Sequence, residues 1–128
     1  MCIRDSYKDS IVRAPYGQGI FKKIINDTMN KKEFDKLKIR LMNEGNKFFN
    51  IPMDKYDLDV VISLNNYHAG YAAVAHNPCL TVPIGLRKSN EPAGITFIGK
   101  SFSEQLLYEI GLKFEKDYEG RVPPANSN

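Results

Sequence analysis

Nucleophilic chemistry needs a hydroxyl or thiol beside a base that can take its proton. Beyond the first six residues the serines are Ser10, Ser63, Ser89, Ser101, Ser103 and Ser127, and they are scattered. None stands in a Gly-flanked elbow that would expose its Oγ. Cys79 as a nucleophile would need a nearby base in an electropositive pocket. Placed just after a proline turn at the head of a strand, it is expected to be a small buried hydrophobe. His68, His76 and Cys79 match no zinc spacing and lack a fourth ligand, so the histidines are assigned to core or surface. Asp59, at the head of an apolar strand, is assigned a structural part, pairing with a cation or capping the preceding turn. The remaining candidates are Ser63, Asn65, Asn66 and Tyr67, at the C-terminal end of that strand. Ligands of α/β sheets bind beyond the carboxyl ends of strands, and amide and phenol groups there could orient a substrate carbonyl or amine. The same four residues could equally form a capped loop that satisfies its own backbone.

The elements that must position them follow from periodicity. Ile20, Phe21, Ile24, Ile25 and Met29 recur at helical spacing. Asn30 followed by Glu33 has the pattern of an N-cap and capping box. It opens a second helix with Phe34, Leu37, Leu41 and Phe48 inward and Lys32, Lys36 and Lys38 outward. Ile51-Pro52 is expected to end that helix, since the residue before proline is pushed out of α geometry. Leu58 to Leu64 is short, β-branched and nearly continuously apolar, the pattern of a strand buried on both faces. Ala69 to Ala75 is a run of small side chains, expected to form a closely packed helix that Asn77-Pro78 breaks. Cys79 to Leu86 is a second strand, with Pro83 marking an edge, a bulge or its end. Gly94 to Gly99 is a third, joined to the second as an antiparallel hairpin. Ser101 with Glu104 suggests another capping box, opening a helix with Leu106, Leu107, Ile110 and Phe114 inward; Gly120 stops it.

With 128 residues, 42% hydrophobic and 26% charged, the chain is long enough for one domain with a real core. No apolar run reaches the length of a membrane span. The net charge of +3 is dispersed, and with no Trp and no basic–aromatic interleaving it argues against a nucleic-acid surface. Two cysteines, one of them Cys2, point to a reduced, cytoplasmic setting by default. The first six residues, Met1 to Ser6, reverse-translate as ATG TGT ATA AGA GAC AG plus one base. That string resembles the transposase-end adapter of sequencing libraries read through as coding. Residues 1–6 are therefore expected to be non-native, with the gene continuing upstream, and they are set aside from fold reasoning.

Residues 58–124 resemble the C-terminal end of the amidase signature family, serine hydrolases that cleave amide C–N bonds. Leu58-Asp59-Val60-Val61-Ile62 is similar to the family's aspartate-containing strand. Tyr71 through Gly85 is similar to its small-residue helix, proline turn and T-V-P-x-G strand. Glu91 through Gly99 is similar to its P-x-G-(I/L)-x-F-(I/L)-G strand. Ser103-Glu104 through Phe114-Glu115, then Arg121 and Pro123-Pro124, is similar to its terminal helix. Where the family carries Gly before this proline, the chain has His76-Asn77-Pro78, and Asn is expected to keep the turn.

The resemblance implies an α/β fold, the C-terminal portion of a mixed sheet flanked by helices, with about three strands and four helices in this piece. It divides the chain into residues 1–6, an amidase-domain portion over 7–124 and a tail over 125–128. Within that portion lie a helical pair at 17–50 and the sheet with its helices at 58–120. The family uses a Ser nucleophile, a second Ser and a Lys base from a Gly/Ser-rich region that has no counterpart here. No catalytic residue is therefore expected in this chain, which would be inactive alone, and Ser63, Asn65, Asn66 and Tyr67 would line the substrate site. The implied partner is a small-molecule amide, with no metal or organic cofactor. The strand at 91–99 resembles general amidases more than the family's tRNA-dependent members. The alternative is a self-sufficient, non-catalytic α/β binding or scaffold module. Cooperative unfolding of residues 7–128 alone would favour that module, and aggregation would favour an orphaned enzyme piece.

Overall fold

A computed structural model describes residues 17–123, so the hexamer and the tail lie outside the described residues. The chain divides into two compact units between Asp35 and Lys36. In the first, helix α1 (Gly19–Ile25) occupies the predicted periodic segment and buries none of its residues. Helix α2 (Lys31–Phe48) starts there and runs into the second unit. Its start is the expected capping box: the Glu33 amide donates to Asn30 Oδ1 at 3.0 Å, and the Asn30 amide donates to Glu33 Oε2 at 3.2 Å.

Proline does not end the helical run. Helix α3 (Asn50–Lys55) follows after the single residue Phe49. Pro52 falls in the first turn of α3, where a missing N–H costs no intrahelical bond. The inward face of α2 also differs from the expected one. Phe34, Leu41 and Phe48 are exposed, and the buried residue of α2 is Gly45. Its lack of a side chain brings α2 against the next helix: a Cβ at Gly45 would lie 2.7 Å from Ala75 Cβ.

The sheet holds β1 (Val61–Leu64), β2 (Cys79–Leu86) and β3 (Pro92–Ile98) in the order β1-β3-β2, all antiparallel. β2 and β3 form the predicted hairpin. Pro83 sits on an edge strand beside a register shift between Pro83 and Gly85, so it marks both an edge and a bulge. Two cores form because successive strand residues alternate faces. Ile98 packs with Phe49, Met53, Ala72 and Ala75 on one face, and Phe97 packs with Val82 and Leu107 on the other. Helix α5 (Glu104–Asp117) covers this second face through Leu107, with Ile110 and Phe114 partly buried. Its cover does not extend over β1, whose Ile62 and Leu64 are exposed, so β1 is not buried on both faces as its composition suggested.

Two local expectations fail for identifiable reasons. Ser101 does not cap α5: its hydroxyl donates to the His76 carbonyl at 2.7 Å, and Ser103 occupies the N-cap position. The turn after helix α4 (Ala69–Val74) is kept by His76 rather than by Asn77. His76 has φ +60, its amide donates to the Ala73 carbonyl at 3.2 Å, and the Asn77 amide donates to the Ala72 carbonyl at 2.9 Å. That is a Schellman ending with histidine in the left-handed position where glycine is easiest. Asn77 is buried instead, its Nδ2 donating to Asn50 Oδ1 at 2.9 Å and to the Gly99 carbonyl at 2.6 Å. His76→Gly is expected to raise stability by about 0.5–1 kcal/mol, less than the full left-handed penalty because glycine also loosens the unfolded chain. A shift of the urea midpoint at unchanged slope checks it.

Candidate functional site

The candidate residues sit where β1 turns into α4, in a four-residue turn over 65–68. Strand alternation points Ser63 to the face covered by α2–α4, where it is buried. Its Oγ shares a 2.7 Å hydrogen bond with Nδ1 of His68, which the turn folds back over the strand end. His68 is also stacked against Phe48, with centroids 5.9 Å apart and planes 22° apart, and Tyr71 lies 5.9 Å from Phe48 on a similar plane.

Asn65 is knotted to β3. It adopts φ +49, which asparagine tolerates better than most residues. Its amide donates to the Gly94 carbonyl at 2.8 Å, and its Oδ1 accepts the Gly94 amide at 2.7 Å. The Thr96 hydroxyl donates to the Asn65 carbonyl, and Thr96 Oγ1 lies 2.7 Å from Thr81 Oγ1, tying the turn across all three strands. Asn66 and Tyr67 project into solvent. The four candidates thus share one turn, but the side chains of Ser63 and Asn65 face inward and are engaged, while those of Asn66 and Tyr67 face out. His68 belongs to this constellation although its type and spacing assigned it only to core or surface. The signal was the five-residue interval from Ser63, which a tight strand-to-helix turn closes.

Asn65→Ala removes the acceptor for the buried Gly94 amide and the residue type suited to φ +49. The expected loss is about 1–3 kcal/mol, against no more than about 0.5 kcal/mol for the exposed Asn66→Ala, read from paired urea unfolding curves.

Cys79 corrects another expectation: it is exposed, at the start of β2. Partial desolvation still pushes its thiol up from the ordinary value, which lowers the thiolate fraction at neutral pH and disfavours nucleophilic use. Asp59 is exposed in the bend before β1 rather than within the strand. Among the described residues, no group of three or more His, Cys, Asp or Glu is arranged to hold a metal ion. No helix among them is long and apolar enough to cross a membrane. Among the described residues, open clefts lie along α5. One of about 380 Å³ is lined by Pro83, Glu115, Tyr118, Glu119, Gly120 and Arg121. An apolar one of about 360 Å³ includes Phe97, Ile110 and Phe114. Neither is lined by residues 63–68.

No protein-family model matches the chain. Individual proteins do. A probable amidase of Arabidopsis thaliana is 33% identical over 72 residues, which is 56% of this chain and 14% of that protein. A glutamyl-tRNA(Gln) amidotransferase component of Treponema denticola is 29% identical over 113 residues, 88% of this chain and 21% of the relative. Among solved structures, an amidase family protein from Bacillus anthracis str. Ames superimposes with a TM-score of 0.85 at 33% identity, covering 96% of this chain and 24% of that one. Native peptide amidase from Stenotrophomonas maltophilia shares the fold, with a TM-score of 0.79 at 19% identity over 98% of this chain and 28% of its own. The chain therefore spans between a seventh and just over a quarter of the length of these proteins. The sequence matches and the shared fold point the same way, and together they support a C-terminal piece of the amidase signature family.

Proposed function

We propose that this chain is part of a serine-type hydrolase that cleaves carboxamide C–N bonds, and that its 65–68 turn faces the substrate. The observation that most supports this is the fold and 33% identity shared with the Bacillus anthracis amidase family protein over 96% of the chain. In this reading the nucleophile and its base come from polypeptide that this chain does not span, and the chain alone hydrolyses nothing. Its part is to shape the site. Asn66 and Tyr67 offer an amide and a phenol to a small-molecule amide, while Ser63 and Asn65 hold the turn from beneath. A rigid turn matters because an orienting group displaced by about 1 Å can cost on the order of a hundredfold in rate.

The test is to recover the upstream reading frame and assay ammonia release from small carboxamides. The longer polypeptide is expected to release ammonia, with a raised KM in Asn66→Ala and Tyr67→Phe, and residues 7–128 alone to release none. Hydrolysis by the short chain overturns the reading. So does a complete upstream frame that lacks a Lys followed by a Gly/Ser-rich segment.

A further inference from the structure

We propose that His68 is a positioning residue for the 65–68 turn: its neutral imidazole accepts the buried Ser63 hydroxyl at Nδ1 and so fixes where Asn66 and Tyr67 stand. The inference rests on the reading of that turn as facing the substrate. His68 occupies the N-cap of α4 but makes no side-chain capping bond. Ser, Thr, Asp and Asn are favoured at that position because a short polar side chain reaches the free amides of the first turn. Here histidine forgoes the local gain. Its ring folds back to β1 instead, where Nδ1 lies 2.7 Å from Ser63 Oγ. A residue that breaks a local preference for a longer reach is expected where function sets the geometry.

The direction of this bond follows from burial. Ser63 is 5% exposed, so its hydroxyl hydrogen is shut off from water. Among the described residues, His68 Nδ1 is the one side-chain partner of Ser63 Oγ. A buried hydroxyl left without an acceptor carries the full cost of its desolvation. The hydroxyl therefore donates, Nδ1 accepts, and the bond network assigns the ring proton to Nε2. Two rings set the orientation of the imidazole: Phe48 from α2, with centroids 5.9 Å apart, and Tyr71 from α4, with centroids 6.2 Å apart. His68 thus ties the turn to β1, α2 and α4 at once.

The turn needs this second anchor. Its own backbone bonds are the long one of 3.4 Å from the Tyr67 amide to the Leu64 carbonyl and one of 3.1 Å from the Ala69 amide to the Asn66 carbonyl. At its start the two Asn65–Gly94 bonds fix it to β3. At its far end the His68 side chain fixes it to β1. Between the anchors lie Asn66 and Tyr67, whose side chains face solvent. Release of His68 leaves them hinged on Asn65, and an orienting group that wanders loses much of its effect.

Kinetics of the longer polypeptide, with propionamide and benzamide as probes, test this. In His68→Asn the side-chain oxygen falls near the place of Nδ1 and accepts from Ser63. In His68→Gln the amide is carried to the place of Nε2 and Ser63 is left without an acceptor. Both variants lose the ring contacts, so their difference isolates the Nδ1 bond. His68→Gln is expected to raise KM about tenfold, and His68→Asn to stay within about threefold of the parent. In the His68→Gln background, Asn66→Ala is expected to add little, whereas a merely structural role for His68 would leave its effect at full size. If circular dichroism shows His68→Gln to be unfolded, Ser63→Ala removes the donor, keeps the ring and decides with the same expected rise. An unchanged KM, a His68→Asn variant as impaired as His68→Gln, or full additivity with Asn66→Ala overturns the proposal. Should Asn66→Ala alone leave KM unchanged, the substrate-facing reading falls and takes this proposal with it. Nitrogen NMR of the present chain checks the bond independently of any activity. His76→Gln assigns the two histidines, and His68 Nδ1 is expected to be unprotonated in mildly alkaline buffer. A proton on Nδ1 there overturns the proposal.

Discussion

Phe49→Ala is expected to lower folding stability by about 3–5 kcal/mol, the range for deleting a fully buried aromatic ring. Phe49 has no solvent exposure and packs with Met53, Ala72, Ala75 and Ile98. It is therefore where two helices and the sheet meet. Its backbone is held at both ends of the α2–α3 junction: its amide donates to the Gly45 carbonyl and its carbonyl accepts from the Met53 amide, each at 3.0 Å. A junction pinned in this way cannot collapse into the space left by the ring, which favours the upper half of that range. Phe48, one residue away and exposed, lies edge-on to Phe49 with centroids 4.8 Å apart. Phe48→Ala loses that contact and little burial, so about 1 kcal/mol is expected. Urea unfolding of the two variants side by side tests the contrast. A Phe49→Ala loss no larger than that of Phe48→Ala would show that the ring is not central to this core.

Gly45→Val is expected to destabilise by about 2–3 kcal/mol, although the replacement of a mid-helix glycine normally favours the helix. The cause is the α2–α4 approach. A Cβ at position 45 would stand 2.7 Å from Ala75 Cβ and 2.9 Å from the Ala75 Cα and amide nitrogen. Two of those atoms are backbone at the end of a helix held by its Schellman bonds, so neither can rotate away. The helices must separate, and Phe49, Met53 and Ala72 lose contact along the same seam. Gly45→Ala serves as the sign test: at an exposed helical site it would stabilise by about 1 kcal/mol, and here it should destabilise. A double-mutant cycle with Ala75→Gly should recover only the Cβ part of the clash, because the backbone atoms stay in place. Stabilisation by Gly45→Ala would mean that the helices do not approach this closely.

These two sites show what one-dimensional reading misses. Phe34, Leu41 and Phe48 share a face by their spacing, and bulk makes that face the apparent core side of α2. The buried position is a glycine, far along the chain from the alanine it meets, and a glycine carries no hydropathy signal. At the candidate site the turn at the end of β1 was legible, because a β-branched run ending in Asn-Asn-Tyr stops a strand. The Asn65–Gly94 and Ser63–His68 bonds were not legible, since they depend on β3 arriving beside β1 in a particular register and on how tightly the turn closes.

The sequence alone determined what is settled within a few residues: the Asn30–Glu33 cap, the three strands, the hairpin with its proline edge, and the ordered motifs of the amidase signature family. In each, the interacting groups are chain neighbours, or the pattern reports an average property of one segment. The tertiary structure decided which face of α2 is buried, that the turn before Pro78 rests on His76, that Ser101 bonds to the His76 carbonyl instead of capping α5, and that Cys79 is exposed. It also decided which candidate side chains turn inward and which face solvent. Those outcomes depend on how closely separate segments approach and on which backbone carbonyl lies nearest a given donor, distances that exist only once the chain has packed.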